Sequence, residues 1–171
     1  LMKKIILVYG SIAGLILAAW MIGFTALGKM EDFENGMIYG YASMIIAFSF
    51  IYVGISKYKA QMPESTITFK QGFMVGLYIT LIASTFYVLA WLIVYYTMAP
   101  DFMEKYLAFT IEKMKGNNAT QAEIDAYVKE MKSFNEMYKN PLVNMAFTYM
   151  EVIPVGLLMS VISSFLIKRR K

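Results

Sequence analysis

The sequence predicts an all-α integral membrane protein, a bundle of four membrane-spanning helices with a helical insert between the third and the fourth. Hydrophobic residues make up 58% of the chain and its mean hydropathy is +0.52, whereas soluble domains contain about 45–50% apolar residues. The excess lies in four apolar runs, each close to or above the ~20 residues that cross the ~30 Å hydrocarbon core of a bilayer. A soluble domain of 171 residues could not bury four such runs. We therefore predict one membrane domain over residues 1–171, with spans at 5–27, 37–56, 71–99 and 142–167 and an insert at 100–141.

The first apolar run has the charge pattern of a signal peptide, because Lys3 and Lys4 precede it. The apolar region of a signal peptide covers only about 7–15 residues and ends in a small-x-small cleavage site. The run over residues 5–27 is longer and carries no convincing site. We therefore expect it to be a retained span.

Basic residues predict the orientation of the four spans. With four crossings, both termini and the 57–70 loop fall on one side, and cytoplasmic segments are those enriched in Lys and Arg. The 28–36 turn and the insert, on the other side, carry more acidic than basic residues. The prediction is N-in/C-in with the insert extracytoplasmic. The cytoplasmic side would hold Glu64 and nine basic residues, Lys3, Lys4, Lys57, Lys59, Lys70, Lys168, Arg169, Arg170 and Lys171.

The insert has the pattern of a helical hairpin. Aromatic residues share one face of its first half, Gly116-Asn117-Asn118 is a turn signal, and Thr120 with Glu123 has capping-box spacing. An apolar seam at helical spacing follows in the second half. The hairpin could pack as a cap on the bundle, or its seam could dock a partner or a lipid head group. The first face comprises Phe102, Tyr106 and Phe109, and the candidate partner face comprises Ile124, Tyr127, Met131 and Phe134, with Tyr138 continuing the seam.

Small residues recur every four positions along three of the spans. Such stripes allow helix backbones to approach closely in a membrane. They predict packing within one bundle, with dimerisation as the alternative. The candidate helix-packing residues are Gly10, Gly14 and Ala18 in the first span, Gly72 and Gly76 in the third, and Gly156 and Ser160 in the fourth.

Glu151 is the ionisable acid within the predicted spans, and it forms the candidate polar site. Pro154 follows it, and a proline removes the hydrogen bond to the carbonyl four residues earlier. Tyr87 and Ser43 are predicted at a similar depth, and both could donate hydrogen bonds to the carboxyl group. Three roles are open: a protonated tie between helices, a carboxyl that binds a partner or a head group, or a proton or ion site.

Composition excludes several classes of chemistry. The chain contains no Cys and no His, which removes disulfides, thiol catalysis, Cys/His metal sites and histidine acid–base catalysis. It shows no Gly-rich phosphate loop, no nucleophile elbow and no cluster of metal ligands. We predict no enzymatic activity, no cofactor, no metal and no nucleic-acid partner.

Five segments resemble a known family. They are residues 40–50 (GYASMIIAFSF), 67–73 (ITFKQGF), 100–106 (PDFMEKY), 137–141 (MYKNP) and 151–156 (EVIPVG). The chain is similar over nearly its whole length to domain-of-unknown-function family 4199, small bacterial membrane proteins found mainly in Bacteroidota. The resemblance implies a location in the bacterial inner membrane but supplies no activity.

Two functions of different classes follow as expectations. The first is a non-catalytic accessory or scaffold protein of a bacterial envelope complex, surrounded by lipid and bound to a membrane protein or to a second copy of itself. The alternative is a small transporter or lipid carrier that uses the intramembrane carboxyl of Glu151.

Overall fold

The computed structural model describes residues 2–167, and this part of the chain consists of helices and turns without strands. Four helices are long and apolar enough to cross a membrane, which makes the chain a multi-pass membrane protein and confirms the predicted fold class. The basic cluster at 168–171 lies outside the described residues. The helices are α1 (Met2–Ala26), α2 (Gly36–Ala60), α3 (Phe69–Ile93), α4 (Phe102–Gly116), α5 (Gln121–Tyr138) and α6 (Pro141–Ile167). A π-helical turn, Val94–Met98, extends α3.

The helices run a few residues beyond the predicted spans at several ends. Lys57 and Lys59 belong to the last turn of α2, and α1 already includes Lys3 and Lys4. Lysine stems can lie along an apolar helix while the ammonium groups reach water. Hydropathy therefore locates the apolar stretch, whereas the hydrogen-bonded helix continues through the first charges.

The two middle spans in the chain, α2 and α3, form the centre of the bundle. Helix α3 packs on α1, α2 and α6, and α2 packs on α1 and α6, so α1 and α6 lie on opposite sides of this pair. The core contains aliphatic side chains and one phenylalanine, all without exposure to solvent. These residues are Ala13, Ala47, Phe48, Ile51, Ile55, Val75, Ile79, Ala83 and Val152.

Contacts distinguish the two ends of the bundle. At the terminal end, Lys59 Nζ donates to the carbonyl oxygen of Ile167 at 2.9 Å, which joins the ends of α2 and α6. At the opposite end, called the insert end below, Lys105 of α4 pairs with Glu31 of the turn between α1 and α2. The chain thus places the start of α1, the α2–α3 turn and the end of α6 at one end, and the insert at the other.

The insert is the predicted helical hairpin, made of α4 and α5. The capping box of Thr120 and Glu123 starts α5, as predicted. The capping box of Thr68 and Gln71 starts α3 in the same way. In the turn between α4 and α5, Asn118 adopts a positive φ of 60°, which asparagine tolerates better than most residues.

Aromatic contacts hold the hairpin on the insert end of the bundle. Phe33, in the turn between α1 and α2, contacts the rings of Phe102, Tyr106 and Phe109 at centroid distances of 5.5–5.6 Å. Trp91 of α3 contacts Phe102 at 5.3 Å. Edge-on and tilted ring pairs at these distances are favourable beyond their area burial. The predicted aromatic face of α4 therefore packs on this chain.

Candidate functional site

Glu151 lies at the edge of the buried side of α6, exposed at the surface but within reach of α3. The buried positions of α6 include Thr148, Val152 and Gly156, four residues apart. Glu151 precedes Val152 by one position, so helical geometry turns its side chain about 100° away from that line. The structure accordingly leaves Glu151 exposed on the bundle surface, which faces lipid in a membrane.

Apolar side chains surround Glu151 on the same surface. We call this surface the outer face of α6. Its members are Met150, Glu151, Pro154, Leu158 and Val161, all exposed. Met150 and Leu158 keep 69% and 59% of their surface exposed. A carboxyl group thus stands in an otherwise apolar strip.

Tyr87 of α3 provides a hydrogen bond to the carboxyl group. Its hydroxyl donates to Glu151 Oε1 at 3.5 Å, which is at the long end for such a bond. Tyr87 is half-buried and packs against the core. Within residues 2–167, Glu151 forms no ion pair with a Lys or Arg.

Ser43 and Pro154, the other two members of the predicted polar site, take different positions. The Ser43 hydroxyl donates to the carbonyl of Gly40 in its own helix at 2.7 Å, so the expected bond from Ser43 to Glu151 is not formed. A buried serine in a helix readily satisfies itself this way, because the preceding turn offers an acceptor. Pro154 lies on the outer face, and α6 continues through it from Pro141 to Ile167.

Small residues line the antiparallel interface between α3 and α6. A Cβ built at Gly72 would lie 3.1 Å from Ser164 Oγ, and one built at Gly76 would lie 2.7 Å from the Ser160 side chain. Ser160 Oγ also lies 3.3 Å from Thr80 Oγ1. These residues therefore bring the backbones of α3 and α6 together within one chain.

The stripe of α1 packs on α3 in a parallel direction. A Cβ at Gly10 would lie 2.8 Å from Ile82 Cβ, and one at Gly14 would lie 2.7 Å from Phe86 Cβ. Ala18 continues the line and packs in a small apolar cluster near the insert end. These contacts agree with the prediction that the small-residue stripes pack helices within one bundle.

The candidate partner face of α5 is turned largely toward this chain. Ile124 is buried, and Tyr127, Met131 and Phe134 are half-buried. The Phe134 ring contacts Phe147 of α6 at 5.2 Å. Met131 lines an open groove of about 400 Å³ between α4 and α5. An apolar seam packs on the nearest apolar surface, and here α6 supplies part of it.

The sequence analysis did not identify a set of polar side chains near the insert end of α6, contributed by α3, α5 and α6. Trp91 Nε1 donates to the Tyr138 hydroxyl at 2.9 Å, and Thr148 donates to the carbonyl of Asn144 at 2.8 Å. Asn144 is fully buried, and its Nδ2 has no hydrogen-bond partner among the described residues. Burial raises the pKa of Tyr138 above its usual range, so its hydroxyl stays protonated at neutral pH. The four-residue spacing from Asn144 to Thr148, continued at Gly156, could have indicated that Asn144 lies on the buried side of α6.

Comparison with known proteins adds a family. Neither the curated proteins nor the solved structures contain a significant match to the chain. The model of the family described as "Protein of unknown function (DUF4199)" matches residues 8–169, which is nearly the whole sequence. The chain therefore belongs to the DUF4199 family.

Proposed function

We propose that the protein is a non-catalytic accessory subunit of a complex in the bacterial inner membrane, and that it binds a partner membrane protein through the outer face of α6. The observation that carries this proposal is the position of Glu151, exposed in the middle part of a membrane-spanning helix. The excess of basic residues at the terminal end supports an N-in/C-in orientation in that membrane.

The carboxyl group of Glu151 is costly in the isolated bundle. Insertion scales assign about 2.5–3.5 kcal/mol to an Asp, Lys or Arg at the centre of a membrane helix. Such residues normally face the bundle interior or a water-filled cavity, or they pair with another group. Glu151 has one long hydrogen bond from Tyr87 and an exposed apolar surround. A partner helix on the outer face would cover the carboxyl and supply its missing contacts.

The same features make the transporter alternative less favourable. Transporter sites usually lie between structural repeats, at the ends of broken helices. Helix α6 is continuous past Glu151, and side chains without exposure, including Val152 and Ile79, fill the core beside it. Two open cavities lie at the insert end, lined mainly by residues of the insert and neighbouring turns.

Cysteine cross-linking tests the proposal cleanly, because the chain contains no Cys. Leu158→Cys places one thiol on the outer face of α6, and Leu15→Cys places a matched thiol on an exposed surface of α1. Each variant is expressed in the native host, treated with a photoactivatable maleimide, and analysed by mass spectrometry. We expect one membrane protein to cross-link at Leu158→Cys and not at Leu15→Cys.

Dependence on the carboxyl group completes the test. Adding Glu151→Gln to Leu158→Cys should reduce the cross-link several-fold, whereas adding Glu64→Gln, at the terminal end, should leave it unchanged. Equal, unspecific adducts from both thiols would count against an accessory role. Cross-links formed only with a second copy of the chain would show that the outer face forms a homo-oligomer and does not bind another protein.

A further inference from the structure

The surroundings of Glu151 specify a chemistry for the partner. The carboxyl group accepts a hydrogen bond from the Tyr87 hydroxyl and forms no ion pair within residues 2–167. Pro154 has no N–H, so the carbonyl of Met150 loses its donor four residues ahead. Both Met150 and Pro154 are exposed beside Glu151. The outer face therefore presents an ionisable hydrogen-bond acceptor and lacks a donor with a positive charge.

A second copy of the chain could not supply that charge in the same orientation. The basic residues of the described chain lie in the end turns of helices, in the connections and in the insert. Ile167, the end of α6, is already 16 residues beyond Glu151, roughly 24 Å along the helix, and the basic cluster comes after it in the sequence. A copy packed side by side would bring its own Glu151 to the same depth. Glu151 lies ten residues into α6, roughly 15 Å from its start, a distance that favours a cation on a membrane-spanning helix over a lipid amine.

We propose that the partner carries a Lys or Arg within a membrane-spanning helix, and that this cation binds the carboxyl group of Glu151. This inference rests on the accessory role proposed above and names the chemistry of its contact. Tyr87 donates to Oε1 of the same carboxyl group from the bundle side, which leaves Oε2 for the partner's cation. Charge-assisted hydrogen bonds of this kind are the stronger ones, and Lys and Arg provide three and five donors.

Synthetic membrane helices provide a defined probe. Three Leu/Ala helices of about 24 residues span the bilayer and differ at one central position, which is Lys, Gln or Leu. The full chain, labelled with a fluorescent donor at Asn117→Cys, is reconstituted with each acceptor-labelled helix in phosphatidylcholine liposomes. Energy transfer then measures the affinity. We expect the Lys helix to bind about tenfold more tightly than the Leu helix, with the Gln helix between them.

Variants assign the preference to the site. Glu151→Gln should reduce the preference for the Lys helix to about twofold or less, and Glu64→Gln should retain it. Glu151→Lys should reverse the preference toward a helix with a central Glu. The fluorescence of Trp20 and Trp91 checks that each variant is folded. Equal binding of the three helices, or a preference that survives Glu151→Gln, would overturn the inference.

The outcomes also separate this inference from the accessory role. If Leu158→Cys captures one partner whose contacting helix has no basic residue, the accessory role stands and the cationic contact is wrong. If the wild-type chain dimerises without any probe and Glu151→Gln abolishes the dimer, a second copy occupies the face and both proposals fail. If no protein cross-links while the Lys helix is still preferred, the accessory role fails and the cation site stands.

Discussion

Thr80 of α3 lies so close to Gly156 of α6 that a Cβ built at Gly156 would be 2.3 Å from Thr80 Cγ2. That distance is well below van der Waals contact, and the Thr80 Cβ itself would be only 3.0 Å away. Glycine is therefore required at this position for its small size, since α6 is helical there and no positive φ is involved. The close approach lets α3 and α6 form an extended interface without a large apolar side chain between them.

Gly156→Ala should destabilise the protein. The added methyl group must displace Thr80 or separate the helices, and overpacking of this kind costs about 1–3 kcal/mol. Equilibrium unfolding in detergent, followed by the fluorescence of the two tryptophans, measures the loss. Thr80→Ala in the same chain should recover part of it, because it removes the two closest atoms.

Gly23 and Gly40 offer matched controls within membrane-spanning helices. A Cβ at either position would meet nothing within 4 Å. Because glycine in a helix interior costs about 0.5–1 kcal/mol relative to alanine, Gly23→Ala and Gly40→Ala should be neutral or slightly stabilising. If Gly156→Ala behaved like these two variants, the close approach between α3 and α6 would be wrong.

Tyr138→Phe should loosen the insert without unfolding the bundle. It removes the acceptor of the Trp91 Nε1 hydrogen bond at the base of α5, and a typical intramolecular hydrogen bond contributes about 0.5–1.5 kcal/mol. Hydrogen exchange should accelerate several-fold in α5 and change little in the cores of α2 and α3. Tyr52→Phe is the control, because Tyr52 is exposed and lies in the half of α2 that is farther from the insert.

A combined Trp91→Phe and Tyr138→Phe variant tests whether the two residues act as a pair. The hydrogen bond is already lost in either single variant, so the double variant should lose less than the sum of the two. Additive losses would mean that the hydrogen bond does not hold the insert.

The four spans could be predicted from sequence because each is a continuous apolar run, and membrane thickness sets the length of such runs. Both capping boxes were also predictable, since the side chain and the backbone that bond are only three residues apart. The pairing of α3 with α6, in contrast, depends on which small-residue stripe meets which. Gly76 could equally have faced another helix until the structure placed it against Ser160.

The depth of the candidate site along the spans could be predicted from the sequence, but the direction in which Glu151 points could not. Counting residues along the spans placed Tyr87 level with Glu151, and the structure joins them. Counting could not show that the Ser43 hydroxyl bonds to Gly40 in its own helix. It also could not show that Glu151 faces outward, because that depends on the crossing of α6 over α2 and α3.

Acid should loosen the start of α5 but not the start of α3. Hydrogen bonds from the backbone N–H and the hydroxyl of Thr120 lower the pKa of Glu123. A depressed folded-state pKa means that the contribution to stability is present above the unfolded value of about 4.3 and is lost as the pH falls through the folded value. In the capping box of α3, Gln71 takes the place of the glutamate and does not titrate.

Amide NMR in micelles measures this difference. The Thr120 amide should shift between pH 6 and 2.5 with a midpoint below 4.3, and the Thr68 amide should not follow. Glu123→Gln keeps the acceptor oxygen and should abolish the shift at Thr120. A Thr120 shift that persists in Glu123→Gln would assign the titration to another group.

The orientation of the bundle makes a final prediction. Asn117, in the turn of the insert, and Gln61, after α2, are both exposed and lie at opposite ends of the bundle. Because basic residues far outnumber acidic ones at the terminal end but not at the insert end, the terminal end should be cytoplasmic. In spheroplasts, where the reagent reaches the outer surface of the inner membrane, Asn117→Cys should react with a membrane-impermeant maleimide. Gln61→Cys should react only after the membrane is permeabilised. The reverse pattern would place the insert in the cytoplasm, and the balance of nine basic residues to one acidic residue at the terminal end would then need another explanation.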